Sequence, residues 1–139
     1  MSYKIIGKYI KELNFSIPNT KTFFLLSKDI SKYKINIDIK SNQIRQNLIE
    51  VLTSLNLKPV DDNFEKINTR IVYSAVIELS NNNIEKKEVE KIVLVEVPSN
   101  IYSELRGIFV NLFENSGFKD IKISENVDFK KLYDMRKTQ

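Results

Sequence analysis

The sequence predicts an α+β fold, in which a four-stranded antiparallel sheet is followed by a long helix and a short C-terminal helix packed on one face. Three observations lead there. Up to Leu79, apolar residues recur at every second position, the period of a strand with one buried face. Beyond Asn83 the spacing lengthens to three and four, the period of an amphipathic helix. Strands grouped before helices pack as an antiparallel sheet with the helices beside it. The chain has 139 residues with three Gly and three Pro, so hard breaks are few. No Gly/Ser-rich linker and no internal repeat is visible, and one domain over residues 1–139 is expected.

The strands are justified in order. From Tyr3 to Phe15, period two puts Tyr3, Ile5, Tyr9, Leu13 and Phe15 on one face, with Lys11 intruding. Ile6 and Ile10 fall on the other face among Lys4, Lys8, Glu12 and Asn14. Pro18-Asn19 ends this strand. Phe23 to Leu26 reads as an apolar cluster pinning a loop. Ile35, Ile37 and Ile39 alternate with Asn36, Asp38 and Lys40, which gives a short strand with one wet face. Ile49, Val51, Leu55 and Leu57 line one side of a longer strand with Thr53. Asp61-Asp62-Asn63 is a turn, because Asp and Asn side chains bond their own backbone. Ile67, Ile71, Tyr73, Ala75, Ile77 and Leu79 share a face of the last strand, and Asn81-Asn82-Asn83 ends it.

The second half is helical in period. Ile84, Val89, Ile92 and Val93 fit a helix, whereas the run Ile92 to Val95 is rich in β-branched residues, so helix and strand both stay open there. Pro98 is expected to stop this segment and Ser99 to cap the next. Ile101, Leu105, Ile108 and Leu112, flanked by Tyr102, Phe109 and Phe113, then define an amphipathic helix of about 16 residues. Asn115-Ser116-Gly117 closes it, with Gly117 past the end and Phe118 folding back on the last turn. Ile121 and Ile123 form a short extended piece. Asp128 caps a final helix bearing Phe129, Leu132, Tyr133 and Arg136. The sheet has two edges, and an uncovered edge is a template for association, so an oligomer is expected.

Composition excludes much chemistry. The chain contains no Cys and no His, which removes disulfides, thiolate nucleophiles, the commonest general base and the commonest metal ligand. No S-x-x-K stands at a helix start, no glycine-rich phosphate loop occurs, and no carboxylates converge in the sequence. No enzyme activity, cofactor or metal is expected. The net charge is +4, but only four of the 22 basic residues are Arg and the Lys residues are scattered, the pattern of a solvated surface rather than a nucleic-acid interface. Tyr3, Tyr9 and Tyr73 stand in no stacking motif for RNA. Lys4, Lys8, Lys11 and Glu12 interrupt every apolar stretch near the N-terminus, and no window is apolar enough to span a bilayer. A cytoplasmic location without membrane insertion is expected.

Six segments, in collinear order, resemble the bacterial SecB protein-export chaperone family. Tyr9-Ile-Lys-Glu-Leu-Asn-Phe15 followed by Pro18-Asn19 is similar to its Y-[VI]-K-[DE]-[LI]-S-F strand and P-N turn. Tyr33 to Ile39 resembles V-x-L-D-[LI], and Leu48 to Asn56 resembles Y-E-V-V-L-x-[IV]-T-V. Val97 to Arg106 is similar to C-P-x-x-L-F-P-Y-A-R, Ser116 to Ile123 to G-[GST]-F-P-x-L-x-L, and Val127 to Tyr133 to V-N-F-D-A-L-Y. The resemblance implies a homotetramer, a dimer of dimers. It also implies an ATP-independent holdase that binds unfolded preproteins and delivers them to the SecA motor. Its client groove would draw on Ile35, Ile37, Ile39, Phe118, Ile121, Phe129 and Tyr133, and its SecA contact on Glu12. The chain departs from the family's acidic surface. Ser16 and Ser74 occupy positions that are usually acidic, Val97 replaces Cys, and Arg136-Lys-Thr-Gln139 stands where an acidic tail is usual. Those departures suit the alternative, a SecB-like chaperone or interaction protein dedicated to a single partner, such as an antitoxin, without SecA docking.

Overall fold

The computed structural model describes residues 2–28, 33–118, 123 and 126–137. Strand β1 (Tyr3–Ser16) leads into helix α1 (Thr20–Lys28) and then strands β2 (Tyr33–Arg45), β3 (Leu48–Pro59) and β4 (Asn68–Leu79). Helix α2 (Lys86–Lys91), a π-helical turn (Ile92–Glu96) and helix α3 (Val97–Asn115) follow, and helix α4 (Phe129–Lys137) comes last. The four strands form one antiparallel sheet in the order β1-β4-β3-β2. The expected layout of a sheet followed by a long and a short C-terminal helix is what the chain adopts.

The central strands follow the expected alternation. Ile49, Val51, Thr53, Leu55 and Leu57 of β3 face the helices with Ile71, Tyr73, Ala75 and Ile77 of β4, and all are buried. Strand β2 runs further than its apolar stretch, because Ser41, Asn42 and Gln43 carry no period-two signal but pair with Val51, Glu50 and Ile49.

Strand β1 does not keep the expected phase. Its pairing with β4 skips one residue between Ile5 and Gly7 and another between Ile10 and Glu12. A bulge inserts one residue and turns every later side chain to the other face. Lys8 and Ile10 therefore register with Ala75 and Tyr73 on the helix side, and Tyr9 registers with Ser74 on the open side. The second bulge restores the phase, so Leu13 and Phe15 return to the helix side opposite Ile71 and Thr69.

Two further expectations are corrected. Phe23 to Leu26 lies in a helix rather than a loop. The Asn19 side chain caps that helix by accepting from the Thr22 N–H at 2.8 Å. Pro98 does not stop the preceding helix. The Val97 N–H bonds to the Ile92 carbonyl five residues back, and this widened turn carries the chain through Pro98 in helical geometry. A proline ring clashes with the carbonyl four residues back in a regular helix, and a π turn relieves that contact. Ser99 does not cap; its Oγ donates to the Val95 carbonyl at 2.6 Å. The segment Ile84 to Val95, left open between helix and strand, is helical from Lys86.

The end of α3 is as expected. The Phe118 N–H bonds to the Phe113 carbonyl and the Gly117 N–H to the Glu114 carbonyl, with Gly117 at φ 99° and the two Phe rings 5.4 Å apart. This pair of bonds satisfies carbonyls that a helix end leaves open. On α3 the buried apolar residues are Val97, Pro98, Ile101, Tyr102, Leu105, Phe109 and Phe113, while Ile108 and Leu112 are half-buried. Asp128 caps α4, accepting from the Lys131 N–H at 3.0 Å.

Two substitutions test this packing. Gly117→Ala forces a side chain into positive φ and sets a Cβ 3.3 Å from the Phe23 ring, so a loss of about 1–3 kcal/mol is expected in chemical denaturation. The Thr53 hydroxyl is buried on the helix side and has no hydrogen-bond partner. Thr53→Val removes that unpaired group, and a gain of about 1 kcal/mol is expected in the same assay; a lower midpoint would show that the hydroxyl is bonded in solution.

Candidate binding groove and open sheet face

Strand β2 is an edge, so its helix-side residues are covered only partly. Ile37 and Ile39 are half-buried there, opposite Leu55 and Thr53. Helix α4 crosses nearby with Phe129 and Tyr133 anchored inward. Its spacing then leaves Leu132 and Met135 outward, 45% and 52% exposed. Between the two elements lies a groove of about 310 Å³, lined by Ile37, Ile39, Leu94, Leu132, Tyr133 and Met135, with Asp38 and Arg136 also on its wall. Hydrophobic burial is non-directional, so exposed apolar walls place little demand on the sequence of what they cover.

The structure brings three of the sequence-derived groove residues together: Ile37, Ile39 and Tyr133. Ile35 is half-buried on the same face of β2, two residues before Ile37. Phe118 and Phe129 are each 2% exposed, Phe118 against Phe23 and Phe113, and Phe129 against Tyr102. Ile121 lies outside the described residues. Leu94 and Met135 were not legible as groove residues, because Leu94 sits in the turn whose structure was open and Met135 lies off the apolar stripe of α4.

The other face of the sheet carries no helix. Three of its carboxylates are paired with cations. Glu12 lies 3.7 Å from Arg70, Glu78 lies 3.4 Å from Lys4, and Glu50 lies 3.4 Å from Lys11. Glu50 is 8% exposed, and its Oε2 accepts from Ser74 Oγ at 2.8 Å and from the Tyr9 hydroxyl. These donors favour the charged form, chiefly the Tyr9 hydroxyl and then Ser74, and they hold the Glu50 carboxyl below its ordinary value. The side chain of Ser74, at a position usually acidic in the family it resembles, is thus a donor to a carboxylate on the next strand. No periodicity marks Glu50 as buried. It becomes so only because the first bulge swings Tyr9 over it.

On the helix side, Lys8 Nζ reaches Glu104 Oε1 of α3 at 2.6 Å, and the Tyr73 hydroxyl donates to Glu104 Oε2 at 2.8 Å. Both lower the Glu104 carboxyl, Lys8 first. Burial is the main cause that raises the Tyr73 phenol. Among the described residues, no three Asp or Glu side chains gather where they could hold a metal ion. No helix among them is long and apolar enough to cross a membrane.

An open sheet with helices on one face and an apolar groove at its edge defines a binding scaffold of the chaperone type. The comparisons with known proteins say which. The SecB family, described as preprotein translocase subunit SecB, matches residues 1–139. A putative protein-export protein SecB of Pelagibacter ubique is 39% identical over 97% of this chain and 96% of its own. A protein-export protein SecB of Bartonella bacilliformis is 27% identical over 98% of this chain and 84% of its own. Among solved structures, a SecB-like chaperone of Mycobacterium tuberculosis, in complex with a ChAD peptide from an antitoxin, superposes with a TM-score of 0.68. It covers 91% of this chain and 88% of its own at 8% identity, a likeness of fold. The chain belongs to the SecB family of protein-export chaperones.

Glu50 gives a pH prediction. Its folded pKa lies below the unfolded one, so its contribution is present above the unfolded value near 4.3 and is lost as pH falls through the folded value. Glu50→Gln is expected to cost about 1–3 kcal/mol at neutral pH, since hydrogen bonds to a charged group are the strong kind. It is also expected to flatten the fall of stability between neutral pH and pH 3, read from urea midpoints across that range. An unchanged slope would show that the carboxylate is not held by Tyr9 and Ser74.

Proposed function

We propose that this chain is an ATP-independent holdase that keeps precursor proteins unfolded in the cytoplasm and passes them to the SecA motor for export. The groove between β2 and α4 carries the reading. Its walls from Ile37, Ile39, Leu94, Leu132, Tyr133 and Met135 are apolar and open, as a surface for non-native chains requires. Each Leu-sized group buried there would contribute roughly 1.5–3 kcal/mol before ordering costs. Ile35, Phe118, Ile121 and Phe129 are part of the proposed client site, and a client that reaches Phe118 or Phe129, each 2% exposed, would have to displace part of their packing.

Assembly as a homotetramer, a dimer of dimers, is part of the proposal. Strand β1 is an edge with Ile6, Ile10 and Leu13 each 45–50% exposed, and such a strand associates unless it is covered. The half-buried Ile108 and Leu112 offer a second apolar strip on α3. Glu12 is the proposed SecA contact. A second reading has an observation of its own: the carboxylates Glu12, Glu50 and Glu78 on the open face are all paired with cations. A face neutralised in this way suits a SecB-like protein dedicated to one partner without SecA docking. The M. tuberculosis neighbour, which holds an antitoxin peptide, has that kind of ligand.

Light scattering is the first test. A native mass of four chains that rises by one chain of a reduced, unfolded reporter supports the holdase. A species that ignores the reporter sinks it. Leu132→Asp with Ile39→Asp is expected to weaken reporter binding about tenfold or more while the mass is retained. Glu12→Lys separates the two partner readings by titration with SecA. Wild-type binding that the reversal weakens supports delivery, equal affinities remove Glu12 from the contact, and no binding by either favours the single-partner reading.

A further inference from the structure

Between α3 and α4 the chain returns along α3, and three contacts mark its course. Phe118 packs edge-on against Phe113 at 5.4 Å. Arg106 Nε donates to the Ile123 carbonyl at 3.0 Å. Phe129, the first residue of α4, lies edge-on to Tyr102 at 5.9 Å. As the chain advances through Phe118, Ile123 and Phe129, its partners on α3 recede from Phe113 to Arg106 to Tyr102. From Phe113 to Arg106 the helix covers about 10 Å, and from Arg106 to Tyr102 about 6 Å, at 1.5 Å per residue. The five steps from Phe118 to Ile123 could span about 17 Å when extended, and the six from Ile123 to Phe129 about 20 Å, at 3.3 Å each. The link has more contour than its path needs, so its two aromatic ends alone leave its course open. Ile123 is 6% exposed, and a buried carbonyl needs a donor. Arg106, half-buried and four residues after Tyr102 on the same side of α3, supplies that donor midway along the link.

We propose that Arg106 is a positioning residue for client binding: through the Ile123 carbonyl it fixes where α4 begins, and so sets the width of the groove between α4 and β2. The proposal rests on the holdase reading and deepens it by naming a residue that acts on the groove without lining it. Leu132, Tyr133 and Met135, half of the apolar wall, stand on α4. That helix has nine residues, too few to hold its shape or its place alone. Phe129 and Tyr133 anchor it inward, but its start is set by the link that precedes it. A guanidinium suits this task, because its Nε–H is directional and its planar fork keeps its aim. Arg106 forms no ion pair with a described residue, so no carboxylate competes there with the bond to Ile123.

The test uses the full-length protein and two substitutions that match Arg106 in reach. Met extends as far without a donor, and Gln places an N–H donor the same number of bonds from Cα as the arginine Nε. In Arg106→Met, amide exchange read by mass spectrometry is expected to speed up at least about tenfold across residues 126–137 and to keep its wild-type rate in the sheet and α3. Affinity for the reduced, unfolded reporter should fall about fivefold or more at an unchanged native mass. Arg106→Gln should restore both. Exchange that is unchanged in Arg106→Met, or that rises equally through the whole chain, overturns the proposal, and so does a failure of Arg106→Gln to restore either readout. If Arg106→Met does not fold, the wild type decides. With 15N-labelled arginine, and the Arg106 signal assigned by its loss in Arg106→Gln, the Arg106 Nε–H is expected to exchange at least about tenfold more slowly than that of the exposed Arg45. Equal rates overturn the proposal. Wild type that retains the reporter with the same affinity as Arg106→Met overturns the role of Arg106 alone. Wild type that ignores the reporter, with α4 loosened in Arg106→Met, overturns the holdase reading and leaves the tie between α3 and α4 standing.

Discussion

Phe113 is where the sheet edge, the long helix and the link after it meet. Its ring packs edge-on against Phe15 of β1 at 5.0 Å, Phe109 of α3 at 5.2 Å and Phe118 at 5.4 Å. Phe118 in turn holds Phe23 of α1 at 4.8 Å. Aromatic pairs at these distances are worth about 0.5–1.5 kcal/mol each beyond the area they bury. More important is what they join. The glycine that ends α3 turns the chain so that Phe118 folds back on Phe113, and Phe23 then seats α1 on that platform. The position of α1 follows from the end of α3: one glycine at positive φ and the ring contacts that run from Phe113 through Phe118 to Phe23.

The two bulges of β1 divide the electrostatics of the sheet. Without them, Lys8 would point to the open face and Tyr9 to the core. With them, Lys8 meets Glu104 on the helix side and Tyr9 meets Glu50 on the open side. Each carboxylate then has a cation and hydroxyl donors, which offsets the cost of partial burial. The helix-side cluster ties β1 and β4 to α3 through Lys8, Tyr73 and Glu104. The open-side cluster ties β1, β3 and β4 together without a helix above them. An uncovered sheet face is in this way kept ordered by its own polar side chains.

Much of this was legible in the sequence where burial is one-sided and regular. The helix-side faces of β3 and β4 were legible because every second residue there is apolar or Thr and buried, although Glu50, Ser54, Val72 and Ser74 on the other face are buried as well. The closing of α3 was legible because Gly117 and Phe118 encode a specific pair of backbone bonds. The phase of β1 was not, because a bulge changes register without changing composition, and Tyr9 suits either face. Helix α1 was hidden for a different reason. Its nine residues are dominated by Phe and Leu, and a short apolar run has no period to read. The continuity through Pro98 depended on a π turn, which no residue pattern announces. Of the candidate site, Ile37, Ile39 and Tyr133 were readable as apolar residues on half-covered elements, whereas the meeting of Leu94 and Met135 with them is a product of how α4 crosses β2.

The same features bear on how an apolar binding surface could discriminate among segments. Apolar burial supplies affinity with little direction, so selectivity must come from what surrounds the apolar floor. At the groove by α4 Arg136 stands on the wall, while Asp38, between Ile37 and Ile39 on β2, registers with Ser54 on the open face. On the proposed reading, a client in that groove is held by burial along Ile37, Ile39 and Leu132, and preference among clients is set by the polar side chains at the rim rather than by the apolar floor.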